Sequence, residues 1–469
     1  MGECLMLDVL LTAAAPGPWS WAPPSPPAHH SDVGATHVVF TVLVPLALAL
    51  ACGVRLRFRS RDDATLQNCQ IAEMPRRPPF SQLPDEVAAE ILLRLPLREV
   101  ARARLVCRRW HALTTDHHFV RTSSSRQAGH SVSGFFFNDH VRLAGDYFPL
   151  LDHADAEAAA GRLGHADLSF FPCTQPANPG RSNLQVYSSC HGLLLVLSWL
   201  QQGQANGYVC NPLTKKFIPI SLPPRCISSF NLAFDPSKSQ HYKIVVLGHM
   251  HSIHVYTSQT RSWRIAIHSD HSARLFRGLC PVRGIFWNGS IVWIVAHSLV
   301  RFVIEEEHLA MMPMPPRKEN WICAYIGESA GHLQMIGYTK KDKLTACFDI
   351  LEIQGDQSEW LLLYHVDLNR VKELYPDIER PTWDTRRSLE KIIDYLALSP
   401  IYVIRGIGKT GQHGVLIFSI PEKIMSYNMN DQEISMIQEI KSPWMVQHPN
   451  QLEQPWYHFY AYSPSLFAL

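Results

Sequence analysis

Two periods of apolar residues divide the chain. Val87, Ile91 and Leu95 recur at i, i+4 and i+8 with Ala88 and Leu92 beside them, a spacing that predicts an amphipathic helix of about three turns. Pro84 suits the first turn of that helix and Pro96 stops it. Beyond Pro96, Val100, Ala103, Val106 and Trp110 continue an apolar ridge at spacings of three and four. Arg94, Arg98, Arg102, Arg104, Arg108 and Arg109 fall mostly outside it and read as a solvated face. From Gly134 onward the pattern changes to short β-branched and aromatic runs between turn residues, as in 134–137, 192–197 and 243–247, which predicts an all-β domain.

Within that domain a unit of strand, polar turn and apolar or aromatic residue recurs at 208–217, 254–263, 301–309 and 348–360. Its turns at Asn211, Ser258, Glu305 and Gly355 are 47, 47 and 50 residues apart, as expected for one four-stranded propeller blade per unit. Residues 425–432 fit a fifth copy, after an insertion. In that insertion, Leu389, Ile392, Ile393 and Leu396 have helical spacing and predict a helix within 382–398, on the rim. A β-sandwich is the rival architecture, and the period near 47 argues against it.

Composition narrows the function classes. Lys plus Arg number 43 against 41 Asp plus Glu, so the 469-residue chain has no overall field that would steer it to nucleic acid or an acidic surface. Near the arginines, Asp85, Glu86, Glu90 and Glu99 partly cancel the local charge, and no nucleic-acid partner is expected. Eleven cysteines without a Cys-x-x-Cys pair predict reduced thiols and argue against a zinc finger or a disulfide scaffold.

The N-terminal extension, 1–74, differs from the rest. Residues 12–36 are rich in Ala, Pro and Ser and are expected to be disordered. An apolar run at 38–54 is followed at once by Arg55, Arg57, Arg59 and Arg61. At 17 residues it is at the short end for a bilayer span; a weakly constrained extension is the preferred reading, and a membrane contact is the alternative.

Three segments mimic enzyme motifs. Gly327-Glu328-Ser329-Ala330-Gly331 matches the nucleophile elbow G-x-S-x-G, yet the next residues, 332–338, read as a strand where the elbow needs a helix, so a hairpin is expected. Gly406-Ile407-Gly408-Lys409-Thr410 is similar to the end of a P-loop, but Val403 stands where the first glycine is required, and a glycine-rich hairpin is expected. His249, His251 and His254 have no cysteine or carboxylate to complete a metal set, and a strand would point His251 and His254 to opposite faces. No enzyme activity, metal or cofactor is expected.

Leu83-Pro84-Asp85-Glu86, Ile91-Leu92 with Leu95-Pro96, and Leu105-Val106-Cys107-Arg108-Arg109-Trp110 resemble an F-box, within an expected module at 79–122. The resemblance implies docking on the adaptor subunit of a cullin-RING, SCF-type ubiquitin ligase and, through it, on cullin. Carried over position by position, it implies adaptor contacts at Leu83, Pro84, Ile91, Leu92 and Leu95. It implies the same at Pro96, Val106, Cys107, Trp110 and Leu113. A module this short cannot bury all of these apolar groups by itself, so a partner should cover part of them.

Residues 188–195, 209–216, 232–236 and 242–246 are similar to the F-box-associated, kelch-like β-propeller region of plant F-box proteins. Val303-Ile304-Glu305-Glu306 departs from the usual turn pattern, and the double glycine of kelch blades is missing. The expected architecture is a small all-α F-box module followed by a β-propeller-like domain at 128–469. The function implied is that of a substrate-recognition subunit, with the propeller binding an unknown target protein in the cytoplasm or nucleus. The alternative is a soluble or membrane-tethered β-propeller binding protein without a ligase role.

Overall fold

Pro84 and Pro96 each stand immediately before a helix, where a missing N–H costs nothing. The structure, a computed structural model, describes residues 83–469 apart from 128–131, 140–143, 151–167, 172–183, 200–204, 224–228, 249–251, 269–274, 277–282, 296–297, 316–320, 340–344, 355–358, 384–391, 406–413, 441–458 and 468. The expected disordered stretch at 12–36, the apolar run at 38–54, the glycine-rich segment at 406–410, the turn at Gly355 and the histidines 249 and 251 lie outside the described residues. The chain divides into two compact units between Phe119 and Val120.

The first unit holds α1 (Asp85–Leu93), α2 (Leu97–Ala103), α3 (Arg108–Thr115) and the start of α4 (His117–Gln127). The ridge expected to run on from Pro96 to Trp110 is broken, because Arg104–Cys107 form a turn between α2 and α3. Both α1 and α2 pack against α3. Ala88, Leu92, Val100, Ala103 and Trp110 are buried, each larger side chain contributing on the order of 2 kcal/mol of apolar transfer. Asp116 caps α4, its Oδ1 accepting from the N–H of His118 at 2.9 Å and of Phe119 at 3.2 Å.

The second unit is a β-propeller of six blades. β1 (Gly134–Asp139) and β2 (Ala144–Pro149) begin one blade. β3 (Leu184–Cys190), β4 (Leu193–Trp199), β5 (Ala205–Asn211) and β6 (Lys216–Ile220) make the next. It is followed by the blade of β7 (Ser229–Ala233), β8 (Lys243–Leu247), β9 (Ile253–Thr257) and β10 (Ser262–Ile267). Another consists of β11 (Ile285–Trp287), β12 (Ser290–Val295), β13 (Ser298–Val303) and β14 (His308–Met312). β15 (Trp321–Ser329), β16 (His332–Thr339), β17 (Cys347–Gln354) and β18 (Leu361–Asp367) come next. After α5 (Asn369–Leu374), β19 (Glu379–Trp383) and β20 (Ile392–Leu396) form a separate two-stranded hairpin. β21 (Ser399–Ile404), β22 (Val415–Ile420), β23 (Lys423–Asn428) and β24 (Ile434–Glu439) make the last four-stranded blade.

The chain then returns to its start. β25 (Phe459–Tyr462) pairs antiparallel with β1, Gly134 facing Tyr462, so the blade begun by β1 and β2 has the order β2-β1-β25 and the ring is closed by both ends of the domain. A closed ring of radial sheets leaves only short outer edges. The innermost strands touch in sequence from β25 through β3, β7, β11 and β15 to β21.

Side chains tie each blade to the next. Asn138 donates to Val186 O at 2.7 Å and accepts from Val186 N at 3.0 Å. Ser188 Oγ accepts from Leu232 N at 2.9 Å, and Asn231 Oδ1 accepts from Gly284 N at 2.7 Å. Trp287 Nε1 donates to Gly331 O at 3.0 Å, and Tyr402 Oη donates to Glu328 O at 2.6 Å. Between the last blade and the closing one the join is apolar: Phe135, Phe137, Phe148, Ile401, Ile417, Ile424 and Phe459 form one core.

The recurring unit is the outer hairpin of each four-stranded blade. The copies at 208–217, 254–263, 301–309, 348–360 and 425–432 fall on β5–β6, β9–β10, β13–β14, β17–β18 and β23–β24. This topology overturns the β-sandwich. The acidic departure at Glu305 is balanced across a blade boundary: Lys243 Nζ lies 2.8 Å from Glu305 Oε1, and Arg264 contacts Glu307. The helix expected within 382–398 is corrected to strand. Trp383 faces Ile392 and Thr382 faces Ile393 in the β19–β20 ladder, while Leu389 lies outside the described residues. Adjacent β-branched residues favour such a ladder over a helix, and their helical spacing was coincidental.

Candidate functional site

Packing on α3 selects one side of α1 for the interior. Ala88 and Leu92 are buried, and the neighbouring stripe is left outside, with Val87 44% and Ile91 40% exposed. The turn between α2 and α3 is also apolar and exposed, with Leu105 at 70% and Val106 at 36%. Large aliphatic side chains in water on so small a module make it a candidate protein-docking surface.

The ten positions implied as adaptor contacts fall into three groups. Pro84, Ile91, Pro96, Val106 and Cys107 are exposed, and Leu83, Leu95 and Leu113 are half-buried. Leu92 and Trp110 are buried. Val87 and Leu105 are exposed apolar residues absent from that set. Val87 stands four residues before Ile91, and that spacing alone could have included it.

Arginines hold the entry to this surface. Arg109 on α3 donates through Nε to Asp85 Oδ1 at 2.8 Å and also bonds Leu83 O, which fixes the Leu83-Pro84 segment at the start of α1. Arg104 Nη2 donates to Thr114 O at 2.6 Å, and burial lowers the guanidinium from its ordinary value. Two of the arginines read as a solvated face are therefore structural. Arg94 and Arg102 do form exposed pairs along their helices, with Glu90 at 3.3 Å and Glu99 at 2.8 Å.

Two families match the chain in the order its two units require. The F-box-like family matches residues 80–125, and the F-box associated beta propeller domain family matches 166–379. The chain joins an F-box to an F-box-associated propeller. It is 24% identical over 382 residues to the F-box protein At5g07610 of Arabidopsis thaliana, covering 76% of this chain and 86% of the relative. The F-box protein At5g49610 of the same plant is 24% identical, covering 63% and 82%. The F-box/kelch-repeat protein At3g23880 is 21% identical, covering 55% and 72%.

In the propeller, a central cavity of about 650 Å³ opens among the hairpin turns at the ends of the innermost strands; its polar lining includes Asp235, Arg283, Glu328 and Arg405. Arg405 Nε donates to Glu352 Oε2 at 3.0 Å, and the buried Glu352 also lies 2.8 Å from the His332 ring and accepts from Gln334 Nε2 at 3.2 Å. The arrangement holds Arg405 rigid.

The elbow-like motif lies beside this cavity and forms the expected hairpin. Ala330 and Gly331, with φ of +52° and +83°, make a two-residue turn between β15 and β16. Ser329 is buried, and its Oγ accepts from Arg405 N at 3.0 Å. That places Ser329 in the framework and leaves it without the strand-to-helix setting of a nucleophile. His254, on β9, shares a hydrogen bond of 3.0 Å with Ser252 Oγ. Among the described residues, no group of three or more His, Cys, Asp or Glu could hold a metal ion, and no helix is long and apolar enough to cross a membrane.

Proposed function

We propose that this F-box protein is a substrate receptor of an SCF-type cullin-RING ubiquitin ligase, its F-box docked on the adaptor subunit and its propeller holding the target protein. The observation that supports this reading is the unburied apolar stripe of Val87 and Ile91 together with the exposed turn of Leu105 and Val106. On this reading Pro84, Ile91, Pro96, Val106 and Cys107 touch the adaptor directly. The buried Leu92 and Trp110 set the angle between the helices that present them. Leu83, Leu95 and Leu113 contribute their exposed edges.

The receptor itself is not a catalyst. Its effect on rate is proximity, since a target lysine held beside the charged conjugating enzyme reacts as if within one molecule. Its place is the cytoplasm or nucleus, where such ligases work.

Binding of the purified adaptor subunit to the full-length chain tests the reading. Ile91→Asp and Val106→Asp alter exposed positions and should leave the circular dichroism spectrum unchanged while weakening binding by about tenfold or more. Wild-type chain that is folded but does not bind the adaptor would sink the ligase role and leave a propeller binding protein.

A further inference from the structure

Among the described residues, each four-stranded blade ends in an outer strand with one side free of a ladder partner in its own sheet: β6, β10, β14, β18 and β24. Proteins protect such edges with charge, proline or brevity, because an unguarded edge templates another strand. β6 carries Lys216 and Pro219, β10 carries Arg264, and β24 ends in Gln438 and Glu439. β14 has only five residues and begins at His308. β18, like β24, has its one carboxylate at its last residue, Asp367, and differs in its opening run. It opens on Leu361-Leu362-Leu363-Tyr364 with no charge before His365, and Leu361 and Leu362 are 56% and 58% exposed.

The edge is also rigid. Just before it, the buried Trp360 donates through Nε1 to Pro313 O at 2.8 Å, anchoring its start on the preceding blade. Just beyond it, Leu368 N donates to Ala346 O at 3.0 Å, and Asp367 accepts from Asn369 N at 2.8 Å. A bulge at Leu363, opposite Ile350 and Leu351, interrupts the ladder, and Leu361 and Leu362 lie in regular register before it with both side chains exposed.

We propose that the outer edge of β18 is a docking site at which an extended segment of a partner protein adds as a fifth strand. Backbone hydrogen bonds would supply affinity, and aliphatic side chains of the segment would cover Leu361 and Leu362. The partner segment is aliphatic at its centre and basic at its ends, because the exposed Glu359 and Asp367 flank the strand. A second copy of this chain is disfavoured by the same charges. Antiparallel self-pairing centred on Leu363 sets Glu359 against Asp367, like charge against like. This site does not depend on adaptor docking.

The test uses the full-length chain and three synthetic peptides of about nine residues, a length that fills one strand. All three have a Val-Thr-Val-Thr-Val centre: one has Lys at both ends, one has Glu at both ends, and one repeats the Lys peptide with N-methylated amides on its pairing side. The Lys peptide should bind about tenfold tighter than the Glu peptide, and N-methylation should abolish binding. Leu361→Lys and Leu362→Lys, each at an exposed position, should abolish binding while adaptor binding and thermal unfolding stay as in the wild type. No binding by the Lys peptide, or equal binding by its N-methylated form, would overturn the proposal. So would a wild-type dimer that Leu362→Lys converts to monomer, since the edge would then belong to a second copy.

Discussion

The side-chain amide of Asn211 donates to two main-chain carbonyls beyond the closing strand, Ser465 O at 3.0 Å and Phe467 O at 2.8 Å. Its Oδ1 meanwhile accepts from Leu213 N at 3.0 Å and turns the β5–β6 hairpin. One buried residue of a repeated turn thus also fastens the segment after β25, where Phe467 packs on Phe234 with ring centroids 4.3 Å apart.

Asn211→Ala should therefore destabilise the propeller by about 2 kcal/mol or more, since it leaves buried carbonyls without donors. The urea midpoint of the full chain measures this. The Asn428 side chain, at the matching turn of the last blade, bonds Asp431 and Asn430 N in exposed surroundings, so Asn428→Ala should cost well under half as much. Equal losses would show that the tie to the C-terminal segment adds nothing.

Alkaline pH should destabilise the propeller. Burial pushes the Cys323 thiol from 9.0 up to about 12, and burial pushes the Tyr460 phenol from 10.0 up to about 12. The folded chain keeps these protons over a range in which the unfolded chain releases them, so stability falls as pH rises. It should be level up to pH 9 and decline between 9 and about 12, read as a falling urea midpoint. A midpoint constant across that window would contradict the burial of both groups.

The sequence showed some elements clearly for physical reasons. The helix α1 and its proline boundaries were legible because a stop and a start are local signals, and the outer hairpins were legible because alternation and turn residues recur at one period. Which stripe of α1 faces inward was not. Val87 with Ile91 and Ala88 with Leu92 are offset by a single position, and only packing on α3 decides between them. The β19–β20 hairpin was misread because Ile392, Ile393 and Leu396 fit a helical spacing as well as a strand. Ring closure was hidden because Phe459–Tyr462 is a four-residue strand whose partner β1 lies at the other end of the domain. The roles of Arg104 and Arg109 depended on carbonyls brought near by folding.

Ser329→Ala tests the framework role of the elbow-like turn. Losing the acceptor for Arg405 N should cost about 1–2 kcal/mol of stability. Neither wild type nor variant should hydrolyse a p-nitrophenyl ester above the buffer rate. Turnover by the wild type that the substitution removes would reinstate Ser329 as a nucleophile.

Arg109 offers the sharpest separation of stability from recognition. Its guanidinium spans Asp85 and the carbonyl of Leu83, but the side chains of the ion pair are 31% and 63% exposed, so the pair itself contributes less than about 1 kcal/mol. What it fixes is the direction of Leu83-Pro84 at the mouth of the proposed adaptor-facing surface. Lysine keeps the charge and loses the fork that reaches both acceptors. Arg109→Lys should leave the unfolding midpoint nearly unchanged and weaken adaptor binding by about threefold to tenfold, mainly through faster dissociation. Arg94→Lys, whose partner Glu90 lies on the same helix, should change neither quantity. If the two substitutions weaken the adaptor equally, general charge governs the encounter and the clamp on Leu83 has no part in recognition.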